Sequence, residues 1–142
     1  MKPVIVDKII NQPVKKVWEA ITEHSEMIQW FFDNIPDFKA EVGYKTWFVV
    51  ASEERTFYHL WEVTEVVPNK AIKVEWTYPD YVKEPFLVAF ELSSESENQT
   101  EVKVSAEGIE KFHHFDTPEF TRESCEGGWE YFTSRLKEYL EQ

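Results

Sequence analysis

His59 is the residue of this chain best suited to chemistry. Phe57, His59, Trp61 and Val63 share one parity of a strand-like stretch, with Arg55 at its edge. The other parity carries Tyr58, Leu60, Glu62 and Thr64, so the first set is the more apolar and is expected to face inward. An inward histidine beside a tryptophan could polarise a ligand carbonyl or act as a general acid–base. It could equally be a hydrogen-bonded core histidine. Arg122 and Arg55 could each hold a ligand carboxylate in a bidentate grip, or pair with acidic neighbours at the surface. The aromatic run Trp30-Phe31-Phe32, continuing to Ile35, Pro36 and Phe38, suits the mouth of a cavity, a partner-docking patch or packing beneath a loop.

Other chemistries lack their residues. With one cysteine and four histidines, none in an H-x-x-x-H arrangement, no zinc spacing exists. His113 and His114 are adjacent and point apart on any regular element, so no metal site is expected. Glycines stand only at 43, 108, 127 and 128, which leaves no phosphate-binding loop and no dinucleotide fingerprint. A G-x-S-x-G elbow is missing, and the lone Cys125 has no evident histidine partner. Cys125 reads as a small buried hydrophobe four residues before Trp129. No cofactor is expected.

Charge narrows the partners. The net charge is −12, and the 15 Lys and Arg residues form no basic run. Nucleic acids and anionic membranes both require clustered cations, so neither is an expected partner. No stretch is long and apolar enough to span a bilayer, and Met1-Lys2-Pro3 leads directly into Val4-Ile5-Val6 without a secretory core. A single cysteine fits a reducing compartment, so a cytoplasmic location is expected. At 142 residues and 42% apolar composition the chain suits one domain, 1–142, with a full core. Its 16% aromatic content either fills that core or walls a cavity.

The elements that would position these residues follow from periodicity. Residues 4–10 read as a strand. Pro13 suits a first helical position, and Val14, Val17, Trp18 and Ile21 follow at helical spacing. A second short helix is expected over Ser25 to Phe32. The period then changes to two, with strands around 44–50, 56–66, 71–78, 86–92 and 101–106 and a turn over Ser93 to Gln99. Such spacing without intervening helices means antiparallel hairpins. Thr117 to Gln142 reads as one long helix, capped by Thr117 and opened by Pro118. Trp129, Phe132, Leu136 and Leu140 form its apolar stripe.

Gly127 and Gly128 interrupt that helix, at a cost of about 1 kcal/mol each relative to alanine. Missing side chains there imply either close backbone approach or open space beside the helix. The chain is therefore expected to be α+β: a curved antiparallel sheet of six to seven strands around a long C-terminal helix, with two short helices after the first strand. One helix cannot cover a flat sheet of that size, so the sheet must curl, and incomplete filling would leave a concave apolar site.

A family resemblance carries the same pattern. Pro13-Val14-Lys15-Lys16-Val17-Trp18-Glu19-Ala20-Ile21-Thr22 resembles the P-x-x-x-V-W-x-A-L-T opening of activator of heat shock protein 90 ATPase homologue-like proteins. Trp30, the segments Val42 to Phe48 and Val63 to Pro68, Trp76, and Gly128-Trp129 with Leu136, Tyr139 and Leu140 are similar to later features of that family, in the same order. The resemblance implies a START-like helix-grip fold of the SRPBCC superfamily, over a hydrophobic cavity. The family's eukaryotic namesakes are co-chaperones with an additional N-terminal domain. The wider superfamily includes lipid carriers, hormone receptors and aromatase/cyclases, with no common catalytic residue to transfer.

Non-enzymatic binding of a small hydrophobic or amphipathic molecule is the function expected first, with no catalytic residue assigned. A co-chaperone-like role on a chaperone partner is the alternative, and a cyclase- or hydrolase-type enzyme using His59 is a third. Burying about 200 Å² of apolar ligand gains roughly 5 kcal/mol, whereas association costs at least about 4 kcal/mol. Useful affinity therefore needs polar anchors, for which His59, Tyr78 and Arg122 are the candidates. Phe48, Trp61, Trp76, Phe90 and Trp129 are the candidate walls.

Overall fold

Alternating β-branched and aromatic residues from Val4 onward build a six-stranded sheet, paired antiparallel throughout in the order β1-β6-β5-β4-β3-β2. The computed structural model describes residues 2–51, 55–112 and 121–142. The strands are β1 (Val4–Ile10), β2 (Lys45–Ala51), β3 (Thr56–Val67), β4 (Ala71–Tyr78), β5 (Val82–Ser96) and β6 (Gln99–Glu107). Between β1 and β2 lie α1 (Val14–Thr22) and α2 (His24–Trp30), and α3 (Arg122–Leu140) closes the chain. A 3₁₀ turn covers Ile109–Phe112. Along β3 the parity carrying Phe57, His59, Trp61 and Val63 is buried, as the pattern of apolar residues requires.

Asn69, Gly43 and Gly108 adopt positive φ among the described residues. Asn69 adopts φ 63° between β3 and β4, a left-handed position that asparagine tolerates better than most residues. Gly43 adopts φ 90° just before β2, where its N–H donates to Val63 O at 2.8 Å. Register shifts at Val63/Glu65 in β3, at Trp76/Tyr78 in β4 and at Ser94/Ser96 in β5 mark irregularities that add bend and twist to the sheet.

The helices differ from expectation at their ends. Pro13 is the residue before α1 rather than its first helical position, and α2 stops at Trp30, so Phe31 and Phe32 belong to the following loop. β5 extends past its apolar row through Ser93–Ser96, because Ser93, Ser94 and Ser96 pair with Glu101, Thr100 and Gln99. Backbone pairing needs no apolar side chain, so the expected turn over Ser93 to Gln99 tightens to residues 97–98. The long helix begins at Arg122, with the Thr121 hydroxyl accepting from Ser124 N at 3.1 Å. The earlier start at Thr117 and Pro118, like the His113-His114 pair, lies outside the described residues.

α3 is clamped at several points. Trp129, Thr133 and Leu136 are buried, and Phe132 and Leu140 are partly so. Thr133 enters the core because its hydroxyl donates to Trp129 O at 2.6 Å. Lys137 Nζ donates to Ile9 O at 2.6 Å, and Lys8 pairs with Glu130 at 2.7 Å, tying the helix to β1. On the other side Arg135 donates from Nε to Trp30 O at 3.0 Å and from its guanidinium to Gln29 O at 3.3 Å. Those carbonyls end α2 and have no helical donor of their own. Arg135→Ala is expected to lower unfolding free energy by about 1–2 kcal/mol, read as a lower urea midpoint at unchanged m-value.

Candidate functional site

Helix α3 does not fill the concavity of the sheet. A partly open pocket of about 160 Å³ remains beneath its first turns. Its floor comes from His59 of β3, Trp76 and Tyr78 of β4 and Phe86 of β5. Phe32 and Ile109 bound it, and α3 contributes Thr121, Ser124, Cys125, Gly128, Trp129 and Phe132. The spacing of those α3 residues is i, i+3, i+4, i+7, i+8, i+11, one helical face whose first four members are small. Among the described residues a Cβ on Gly128 would meet nothing within 4 Å, so this glycine leaves space open beside them and does not serve close helix–sheet contact. Gly127 is exposed, also with none of the described residues within 4 Å of a Cβ.

His59 is a strongly perturbed group of the site. It is 4% exposed, lies nearly parallel to Phe48 at 4.8 Å, and meets Tyr78 edge-on at 4.8 Å. Trp76 and Phe32 stand 5.7 Å from it. Nδ1 lies 3.1 Å from Phe57 O. A carbonyl oxygen only accepts, so this contact places the ring proton on Nδ1 and leaves Nε2 with a bare lone pair. Burial lowers the His59 pKa to about 4, against a smaller upward pull from the Phe57 carbonyl. The ring is thus neutral at physiological pH.

The neighbouring groups keep their protons too. Burial pushes the Cys125 thiol up to about 11, outweighing the opposing pull of Arg122. Burial also raises the Tyr78 hydroxyl, with a smaller contribution from Cys125. Among the described residues no charged side chain lines the pocket. Nor do any three His, Cys, Asp or Glu residues come together to hold a metal.

Of the eight residues singled out from sequence, His59, Tyr78, Trp76 and Trp129 line this pocket. Trp61 and Phe90 instead line a separate apolar void of about 20 Å³. There Trp61 stacks on Trp76 at 5.0 Å, and its Nε1 is buried without a hydrogen-bond partner. Phe48 supports His59 from behind. Arg122 does not line the pocket; its guanidinium donates to Lys2 O at 2.6 Å and Pro3 O at 3.0 Å, so the segment just before β1 consumes it. The aromatic loop packs inward: Trp30 is 1% exposed and donates to Ala20 O at 2.8 Å, while Phe31 stacks on Trp30 and Trp61. Only Phe32 of that run reaches the pocket. Thr121 and Ser124 escaped notice, although the small-residue spacing that ends in Gly128 carries their signal.

The whole chain can be compared with known proteins. The family model described as Activator of Hsp90 ATPase homolog 1-like protein matches residues 11–141. No curated protein matches the chain significantly. A solved protein from Mesorhizobium loti is 24% identical, with a TM-score of 0.76 over 99% of this chain and 97% of that one. The Aha1 dimer from Colwellia psychrerythraea is 22% identical over the same shares, also at 0.76. A protein from Chromobacterium violaceum reaches 0.78 at 18% identity, again over 99% and 97%. At these identities the structures establish a shared fold, the helix-grip arrangement of sheet and terminal helix. With the family model spanning nearly its entire length, the chain belongs to the family of Activator of Hsp90 ATPase homolog 1-like proteins.

Proposed function

We propose that this chain binds a small, largely apolar molecule in the pocket between α3 and strands β3 to β5. The observation that carries the reading is Gly128: a helix-interior glycine, unfavourable by about 1 kcal/mol, beside the pocket, where a Cβ would meet none of the described residues. Aromatic rings supply most of the wall, and a space of about 160 Å³ matches one aromatic ring with a short substituent. His59 and Tyr78 add the polar atoms that a buried ligand needs for orientation.

Acid–base catalysis gains less support. His59 is too weakly basic, and the Tyr78 hydroxyl too weakly acidic, to exchange a proton with a substrate near neutral pH. Both can still hold one by hydrogen bonds. Native mass spectrometry of protein from its own host, with titration of an apolar fluorescent probe, tests the binding role. A co-purifying small molecule or probe binding below millimolar is expected; the absence of both would end this reading.

A chaperone-directed role is the second reading, favoured by the family description and by an exposed aromatic pair. Trp47 and Tyr58 are 49% and 44% exposed and meet at 6.0 Å on the outer face of edge strand β2 and its neighbour β3. Stimulation of a chaperone ATPase that is lost in Trp47→Ser would support it. Unmoved ATPase rates would sink it.

A further inference from the structure

We propose that the pocket selects an uncharged one-ring aromatic hydroxyl compound, a phenol, whose O–H donates to His59 Nε2. This rests on the binding role above and names its ligand class. Three observations converge on it.

First, a ligand charge would find no counter-charge. Among the described residues the lining is wholly uncharged, and Arg122, the nearest candidate cation on α3, is held by two backbone carbonyls. A carboxylate or ammonium would lose its hydration without compensation. Second, the shape is that of a flat ring. Trp76 and Trp129 are inclined at 56° with centroids 5.5 Å apart, and Phe86 lies 5.6 Å from Trp76. Phe32 and Phe132 close the far side at 4.8 Å from one another. A planar guest can meet such walls by face and by edge.

Third, His59 offers an acceptor and no donor. Its single N–H is committed to Phe57 O, and Nε2 has no hydrogen-bond partner among the described residues. A lone pair in an apolar site discriminates by chemistry: a donor satisfies it, whereas a carbonyl or ether oxygen meets it with repulsion. Phe48 and Tyr78 fix the ring plane, so the direction of that lone pair is set before a guest arrives. A hydroxyl on an aromatic ring meets size, shape and donor requirements at once.

Toluene, p-cresol and p-toluate separate these ideas, since they share one ring and one methyl group. Ligand-observed NMR titration at pH 7 is expected to show p-cresol binding about tenfold tighter than toluene, with p-toluate weakest. In His59→Phe, which retains an aromatic ring against Phe48, the preference for p-cresol over toluene should fall to about one. Because that variant could perturb the fold, the imidazole ¹⁵N spectrum of the unmodified protein supplies a second readout. Nε2 should be the unprotonated nitrogen, and p-cresol, not toluene, should shift its resonance. Equal binding of toluene and p-cresol would overturn the phenol assignment while leaving apolar binding intact. Equal or tighter binding of p-toluate would overturn it in favour of an anion site. Binding of none of the three would end both.

Discussion

Gly128→Leu is expected to abolish uptake of p-cresol and of any apolar probe while making the protein more stable. The two effects share one cause. A Cβ at residue 128 meets nothing within 4 Å among the described residues, so the first atom of the new side chain enters without a clash with them. The isobutyl group then occupies space of the order of one aromatic substituent within a pocket of about 160 Å³. Replacing a helix-interior glycine contributes about 1 kcal/mol by propensity alone, and covering apolar wall adds to it. Thermal unfolding should therefore move upward by about 3–5 °C. Gly127→Ala is the matched control: it makes a similar helical gain on the solvent side and should leave binding unchanged. Retained binding in Gly128→Leu would place the ligand elsewhere, and a lower Tm would mean that the space beside the helix is not available to a side chain.

Much of this arrangement was legible because periodicity reports burial directly. The parity of Phe57, His59, Trp61 and Val63 identified the inner face of β3, and His59 and Tyr78 stand where that parity puts them. Periodicity does not tell which part of an inner face lies over open space and which over packed core. Trp61, Phe90 and Phe48 are as inward as Trp76, yet a close-packed aromatic cluster covers them and excludes them from the pocket. That cluster forms because Phe31 turns inward after α2, a loop conformation with no periodic signature. Arg122 lies off the pocket lining for a related reason. A cation at the start of a helix invites an anion, but backbone carbonyls of Lys2 and Pro3, distant in sequence by nearly the whole chain, claim it first. The glycine pair carried the most information, since an unfavourable residue retained in a helix signals a local demand that propensity cannot explain.

Acidification should cost this protein stability specifically through His59. The ring titrates near 6.5 when unfolded and at about 4 when folded, because burial opposes its charge. Between those values the unfolded chain binds a proton that the folded chain refuses, so stability falls as pH drops from about 6.5 toward 4. Above about pH 7 both states are neutral and the group contributes no slope. The loss by pH 4.5 amounts to about 2–3 kcal/mol, from the separation of the two pKa values at 1.36 kcal/mol per unit. Phe32, Phe48, Trp76 and Tyr78 are the rings around His59, and none carries a charge that would offset this. Urea unfolding at pH 7.5 and 4.5 isolates the effect when His59→Phe is measured alongside, since the acidic residues contribute alike to both proteins. The unmodified protein should lose about 2–3 kcal/mol more than His59→Phe over that interval. Equal losses would show that His59 accepts a proton in the folded state near its ordinary pKa, and that burial does not hold the ring neutral in acid.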